Sequence, residues 1–334
     1  MSERKAFCTE CREETNYLIT HKTIKHCIRG KEYDFNISAV ECEKCGEAVS
    51  IPGLFDLNAK EIDSQYRKKE NIIAIEDIYN LMNIYNLGKA PLSLALGFGE
   101  ITITRYLEGQ VPSKEYSEIM IKALESPRYM KDCLNNNKQK LGETAYSKAI
   151  KAIEELKNIF VVSDKMLLTI SYIFQKVEEI TPLALQKLLY YIQALFMVKY
   201  NKPLYDEECE AWIHGPVYEG VYNMFKGFKY NPIDDKRFAI FKNRFHELSD
   251  EEKQIIDLVV ESFGVYSGKT LEKITHNELP WKEARKGCFP EEASKEIITK
   301  AAIKEYFINI SKEYDLYTVK GINSYIKKQL QLNG

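Results

Sequence analysis

The sequence offers no uninterrupted apolar run long enough to cross a bilayer. Its most apolar stretch, Leu183 to Val198, is broken by Gln186, Lys187 and Gln193, which makes it too short and too polar to span. No basic start leads into an apolar segment, so no signal peptide is expected. A strong charge of one sign is missing as well: 47 Lys+Arg oppose 49 Asp+Glu. The balance holds locally, with 12 basic against 13 acidic side chains in residues 1–70. A global basic field for nucleic acid is thereby excluded, and any DNA reader here needs a local surface or a dimer. There is no Gly-rich phosphate loop and no His-Glu-x-x-His. Cys209, Glu210 and His214 lie close in sequence, but no third group is arranged to orient a nucleophile pair. His214, beside Gly215-Pro216, reads as a buried or turn histidine, and the chain is expected not to be an enzyme.

What is present begins with size and aromatics. A length of 334 residues suggests two or three domains at about 100–200 residues each. The 22 tyrosines suit either contact surfaces or an aromatic core.

The eight cysteines of a chain without a secretion signal point to metal rather than disulfides. Four form two pairs, Cys8-Thr-Glu-Cys11 and Cys42-Glu-Lys-Cys45-Gly46. Each Cys-x-x-Cys places two thiolates on one tight knuckle, and two knuckles make a closed tetrahedral shell of the structural Zn2+ type. A redox pair, or replacement of a ligand by His21, His26 or Cys27, is the other use of such residues. Gly46 suits the positive φ of a knuckle. Between the pairs, Tyr17 to Thr20, Phe35 to Ser38 and Ala39-Val40 are β-prone, with Gly30-Lys31 as the hairpin turn. A zinc-binding β module over residues 1–58 follows.

Residues 70–125 read as a helix-turn-helix. Ile75 to Tyr85 has helical apolar spacing. Pro91 suits the first turn of a second helix, Gly97 its left-handed end, and Gly99 the cap of a third running from Glu100 to about Leu107. Ile103, Tyr106 and Leu107 face inward, leaving Glu100, Ile101, Thr102, Thr104 and Arg105 for DNA. The run Leu-Gly-Phe-Gly99, Thr102-Ile-Thr-Arg-Tyr106, Glu108-Gly109 resembles the helix-turn-helix of Xre/Cro-type repressors, with Glu100 as a departure that adds negative charge near the groove. Paired zinc knuckles followed by this motif resemble MqsA/YgiT-type antitoxins. That resemblance implies contact of the zinc module with a toxin, dimerisation and repression of an operon.

Residues 126–160 read as a helical connector with a loop at Asn135-Asn-Asn. Asp164 is expected to cap a new helix, and Pro182 to open an amphipathic one with Leu185, Leu188, Leu189, Ile192, Leu195 and Phe196 as its stripe. Further helices are expected at about Val217–Lys226, Asp250–Phe263, Leu271–Ile274 and Thr299–Tyr306. The fold class is mainly α, with a small zinc-bound β module, a helix-turn-helix domain and an α-rich C-terminal domain.

Over residues 165–320 three elements resemble the Panacea domain, also called SocA-like or DUF4065: Leu185-Gln-Lys-Leu-Leu-Tyr-Tyr, Lys202-Pro-Leu with Glu210-Ala-Trp-Ile-His-Gly-Pro-Val-Tyr, and Pro280-Trp281. The resemblance implies a domain that neutralises a cognate protein toxin in a bacterial or phage-encoded type II toxin-antitoxin system, hence a cytoplasmic homodimer with toxin and operator DNA as partners and no membrane. Tyr190, Tyr191, Trp212, Tyr218 and Tyr222 are the toxin-contact candidates. A stand-alone zinc-containing regulator with a sensing C-terminal domain, or a proteolytic adaptor for a toxin, is the alternative.

Overall fold

A computed structural model describes residues 5–331. The described residues divide into two compact units: residues 5–82, 87–124 and 132–142 make the first, and residues 83–86, 125–131 and 143–331 the second. The chain is mainly α with two small antiparallel sheets.

The first unit opens with strands β1 (Lys5–Cys8), β2 (Glu13–Ile28) and β3 (Lys31–Cys42) in the order β1-β2-β3. β2 and β3 pair from Tyr17↔Cys42 to Ile28↔Lys31. The two-residue turn is therefore Arg29-Gly30, not Gly30-Lys31. Both turn residues have positive φ, 51° and 79°, the combination whose twist matches a right-twisted hairpin.

Helix α1 (Leu54–Glu70) covers the outer edge of β3, and no apolar periodicity announces it. Its Asn58 accepts from Ser38 N at 3.0 Å and donates to Ser38 O at 2.9 Å. Two turns further, Gln65 accepts from Asn36 N at 2.9 Å and donates to Asn36 O at 2.6 Å. Side-chain amides thus take the place of a neighbouring strand on an edge that would otherwise invite pairing. The helical part of this unit comprises α2 (Ile75–Ile84), α3 (Lys89–Ala95), α4 (Thr102–Leu107) and α5 (Lys114–Glu125), with α6 (Pro127–Asn136) following. Tyr33, Phe35, Tyr66 and Ile72 form a core against which Val111 packs.

The second unit holds α7 (Glu143–Leu156), α8 (Asp164–Lys176), α9 (Pro182–Tyr200), strands β4 (Cys209–Trp212) and β5 (Gly215–Val217), α10 (Glu219–Phe225), α11 (Asp250–Phe263), α12 (Gly268–Asn277), α13 (Leu279–Ala284), β6 (Ile297–Ile298), α14 (Lys300–Ser311) and α15 (Val319–Gln331). Local signals placed several starts. Thr181 caps α9 with Pro182 in its first turn, and Thr299 caps α14. Ser249 forms a reciprocal capping box with Glu252 on α11. The cap of α8 is Ser163, which accepts from Met166 N, and Asp164 is its first helical residue.

Two expectations are corrected. The helix expected from about Val217 starts at Glu219, because Val217 lies in β5, and β4, β5 and β6 form an unforeseen sheet of order β5-β4-β6. Helix α9 is not amphipathic: Ala184 through Met197 are all buried, Gln186, Lys187 and Gln193 included. It is the axis of the unit, enclosed on every side, and Gln186, Lys187 and Gln193 each have a hydrogen-bond partner there, which offsets the cost of burying them.

Candidate functional site

The four knuckle cysteines meet. All four sulfurs of Cys8, Cys11, Cys42 and Cys45 lie within 4.8 Å of one another. The Cys8–Cys45 sulfur pair is 3.5 Å apart and the Cys11–Cys42 pair 3.9 Å. A tetrahedral ion with metal–sulfur bonds of about 2.3 Å requires sulfur separations near ~3.8 Å. The two knuckles have the same backbone form. Arg12 N donates to Cys8 O at 2.8 Å and Gly46 N to Cys42 O at 2.9 Å, and Arg12 and Gly46 have φ values of 59° and 77°. The glycine at position 46 was legible; its counterpart Arg12, a non-glycine in the same region, was not.

Donors face the sulfurs. Cys11 N points at Cys8 Sγ at 3.5 Å and Lys44 N at Cys42 Sγ at 3.4 Å. The buried Thr15 hydroxyl is 3.1 Å from Cys42 Sγ, and this contact lowers the Cys42 thiol to about 6. Contact with Cys45 pushes the Cys11 thiol up to about 12, and Cys45 is raised as well, so it is the meeting of the four sulfurs, and not their acidity, that suits a metal. His21, His26 and Cys27 pair with Ser38, Tyr33 and Glu32 further along the hairpin, outside the cluster.

The helix pair closes differently from its expected bounds. Glu100 and Ile101 belong to the turn, and α4 begins at Thr102. Gly97 has φ 80° as its position after α3 requires. Ser93, fully buried in α3, accepts from Ile103 N at 3.0 Å and so ties the two helices. Phe98 stacks on Tyr116 at 4.2 Å. Ile103 and Tyr106 are buried, Leu107 is half-buried, Glu100 and Arg105 are exposed, and Thr102 and Thr104 are half-buried. Ile101 is 55% exposed, an unusual degree for an isoleucine.

In the second unit the three sequence elements hydrogen-bond to one another. Gln186 of α9 donates to Tyr218 O at 3.3 Å and accepts from Tyr218 N at 2.8 Å. The neighbouring Lys187 donates to Pro216 O at 3.0 Å. Trp281 donates to Trp212 O at 2.9 Å. Gln193 does the same for the preceding turn, accepting from Leu204 N and Tyr205 N and donating to Tyr205 O. Gly215 sits where no side chain fits: with φ 96°, a Cβ there would lie 2.7 Å from Thr275 Oγ1 and 2.8 Å from Lys187 Cε. The motif is a clamp that fastens the β4–β5 hairpin to α9 and α13.

Residues 185–282 match the family model of the antitoxin SocA-like Panacea domain. The C-terminal region therefore carries a Panacea domain, of the antitoxin type. The match includes all three clamp elements but neither the cysteine cluster nor residues 70–125. Neither a curated protein nor a solved structure is significantly similar to the chain.

The Panacea region places the five tyrosine and tryptophan candidates unevenly. Tyr190, Tyr191 and Tyr218 are buried to 1% exposure or less. Tyr191 and Tyr325 both donate to Glu278 Oε1, at 2.8 and 2.6 Å. Burial raises the Glu278 carboxyl to about 7 despite these bonds. Tyr190, Tyr191 and Tyr218 are core residues, not surface contacts, because the helix that carries two of them has no free face. Trp212 and Tyr222 remain at the surface, their rings edge-to-face at 4.7 Å. They line a pocket of about 440 Å³ together with Leu183, Val217 and Tyr230.

His214 lies at the exposed tip between β4 and β5, where its Nδ1 meets Glu272 Oε1 at 3.1 Å. Cys209 is enclosed in β4, and burial pushes its thiol up to about 12, the opposite of an activated nucleophile. Among the described residues no helix is long and apolar enough to cross a membrane.

Proposed function

We propose that this chain is the antitoxin of a type II toxin-antitoxin system. Its Panacea region binds and occludes a cognate protein toxin, and its helix-turn-helix represses the operon that encodes both. The observation that carries the reading is the family match at 185–282, on a region whose signature residues act as a packing clamp and leave an aromatic pocket at the surface.

The ion of the N-terminal cluster is zinc in this reading. The sulfur separations and the donors on Cys8 and Cys42 suit a closed four-thiolate shell, which contributes folding energy and leaves no open coordination position for chemistry. Glu100, Ile101, Thr102, Thr104 and Arg105 lie at the start and along the outer side of α4, the position from which a recognition helix touches bases and phosphates. A short helix with one arginine gives a weak basic surface, so a homodimer on a palindromic operator accompanies the proposal.

Co-expression tests it. The product of an adjacent open reading frame should arrest growth alone and be harmless with this chain present, and the purified pair should co-elute. A chain that rescues no neighbouring toxic product is not an antitoxin.

A further inference from the structure

The pocket beside Trp212 lies at the start of α9, where that helix meets the start of α12. Gly268 brings the two ends together: a Cβ on it would stand 3.1 Å from both Ala184 N and Leu183 Cβ. This close approach fixes one wall on two helix ends that are both capped, by Thr181 and by Ser267. The Trp212–Tyr222 ring pair lines the pocket as well. At about 440 Å³ the space falls within the ~300–1,000 Å³ common for ligand-binding pockets.

The charged side chains that line it are Lys229 and Lys269, and no carboxylate lines it. Lys269 is already answered from behind: Glu272 bonds its Nζ at 3.0 Å and also meets His214 Nδ1 at 3.1 Å. Glu210 is likewise engaged, accepting from Trp212 Nε1 at 2.6 Å. Among the described residues Lys229 pairs with no carboxylate. Its backbone is also strained, with φ 55° and ψ −109° on a non-glycine residue, a cost that structures tend to retain at functional positions. The next residue, Tyr230, is 83% exposed, a large ring held in water beside an apolar hollow.

We propose that this pocket is the toxin-recognition site, and that it receives one large apolar side chain from an exposed segment of the toxin, with an adjacent carboxylate of that segment seated on Lys229. The inference rests on the antitoxin reading and adds the site and the chemistry of its occupant. A buried apolar anchor surrounded by aromatic rings, with one charge pair at the rim, is the usual form of a binding hot spot. The single uncompensated cation selects against segments whose flanking residue is basic.

The test uses the full-length chain with Lys229→Glu, Lys229→Arg and a Tyr222→Ala/Tyr230→Ala double variant. All change residues at or near the surface, and unchanged far-UV circular dichroism identifies the folded ones. Toxin affinity by calorimetry should fall at least tenfold for Lys229→Glu and for the double variant, and stay within threefold for Lys229→Arg. As a toxin-independent probe, 8-anilinonaphthalene sulfonate, an aromatic ring system bearing an anion, should bind with a component that both damaging variants lose and that added toxin displaces. Unchanged toxin affinity in both damaging variants would overturn the pocket while leaving the antitoxin reading intact. A dye signal that toxin does not displace would overturn it too. A wild-type chain that neutralises no toxic neighbour removes the antitoxin reading, and the proposed occupant with it.

Discussion

Lys187, enclosed in the second turn of α9, donates from Nζ to the main-chain oxygen of Pro216 at 3.0 Å. The bond joins the longest helix of the Panacea region to the strand that follows its exposed turn. Its stability effect depends on pH. Burial lowers the amino group from 10.5 to about 7. Below about 7 the group is charged in folded and unfolded chains alike, and the full burial penalty applies. From about 7 to 10.5 only the unfolded chain keeps the proton, so stability rises with pH across that window. Lys187→Met also leaves the Pro216 carbonyl unpartnered, at a pH-independent cost of about 1–3 kcal/mol. Urea unfolding at about pH 6 and pH 9, either side of that lowered value, should show the wild type gaining on the variant at the higher pH. Equal differences at both would refute the buried-amine assignment.

Glu278 should behave with the opposite sign. Its carboxyl is raised from 4.5 to about 7 by burial. Between those values the folded chain holds a proton that the unfolded chain has released, so its contribution falls as pH rises. Glu278→Gln keeps an acceptor for Tyr191 and Tyr325 and removes the titration. The variant should gain on the wild type between about pH 5 and pH 8, by on the order of 3 kcal/mol at the upper limit. Parallel unfolding curves at the two pH values would contradict this.

Metal retention should depend on a residue that is not a ligand. Thr15→Val removes the hydroxyl that faces Cys42 Sγ. Loss of such a supporting contact commonly costs about 10–100-fold in metal affinity. Competition against a chromophoric chelator should place Thr15→Val between the wild type and Cys42→Ser, with one zinc per chain in the wild type. Stripping the ion should abolish β-hairpin signals while α9 and α11 keep their amide protection.

Gly215→Ala should be among the most damaging single-methyl changes in the chain. The new methyl meets Thr275 and Lys187 at under 3 Å and sits at φ 96°, which combines overpacking with backbone strain. A loss of roughly 2–4 kcal/mol is expected. A melting temperature within a degree or two of the wild type would show that the clamp is looser than its hydrogen bonds indicate.

Arg105→Ala is expected to weaken binding to the chain's own promoter about tenfold or more in gel-shift titrations, and to flatten the salt dependence by about one phosphate contact. Neutralisation should be untouched, since Arg105 lies outside the Panacea match. Unaltered promoter affinity would remove α4 from the DNA surface.

Features that depend on short-range geometry were legible in the residues alone. Two residues between paired cysteines oblige both sulfurs to one knuckle, Gly46 and Gly97 mark positive φ, and Pro182 announces a helix start. Each of these is settled within a few residues of chain. Helix α1 escaped notice because the side it turns to β3 mixes Asn58 and Gln65, which bind the main chain, with Ile62 and Tyr66, and the mixture leaves no continuous apolar stripe. Val217 reads as the start of a helix, and only its pairing with Glu210 across the β4–β5 hairpin makes it a strand residue.

Which aromatic residues are surface and which are core emerged only once the chain was folded. Tyr190 and Tyr191 are near neighbours of Lys187 in a run that reads as one face wet and one face dry, yet β5, α11, α12 and α14 crowd around it. Burial is a sum over segments distant in sequence, so periodicity within one helix cannot supply it. The same is true of the pocket. Leu183, Trp212, Lys229 and Gly268 come from four separate segments, and only the close approach permitted by a missing Cβ at Gly268 brings the ends of α9 and α12 together as one wall.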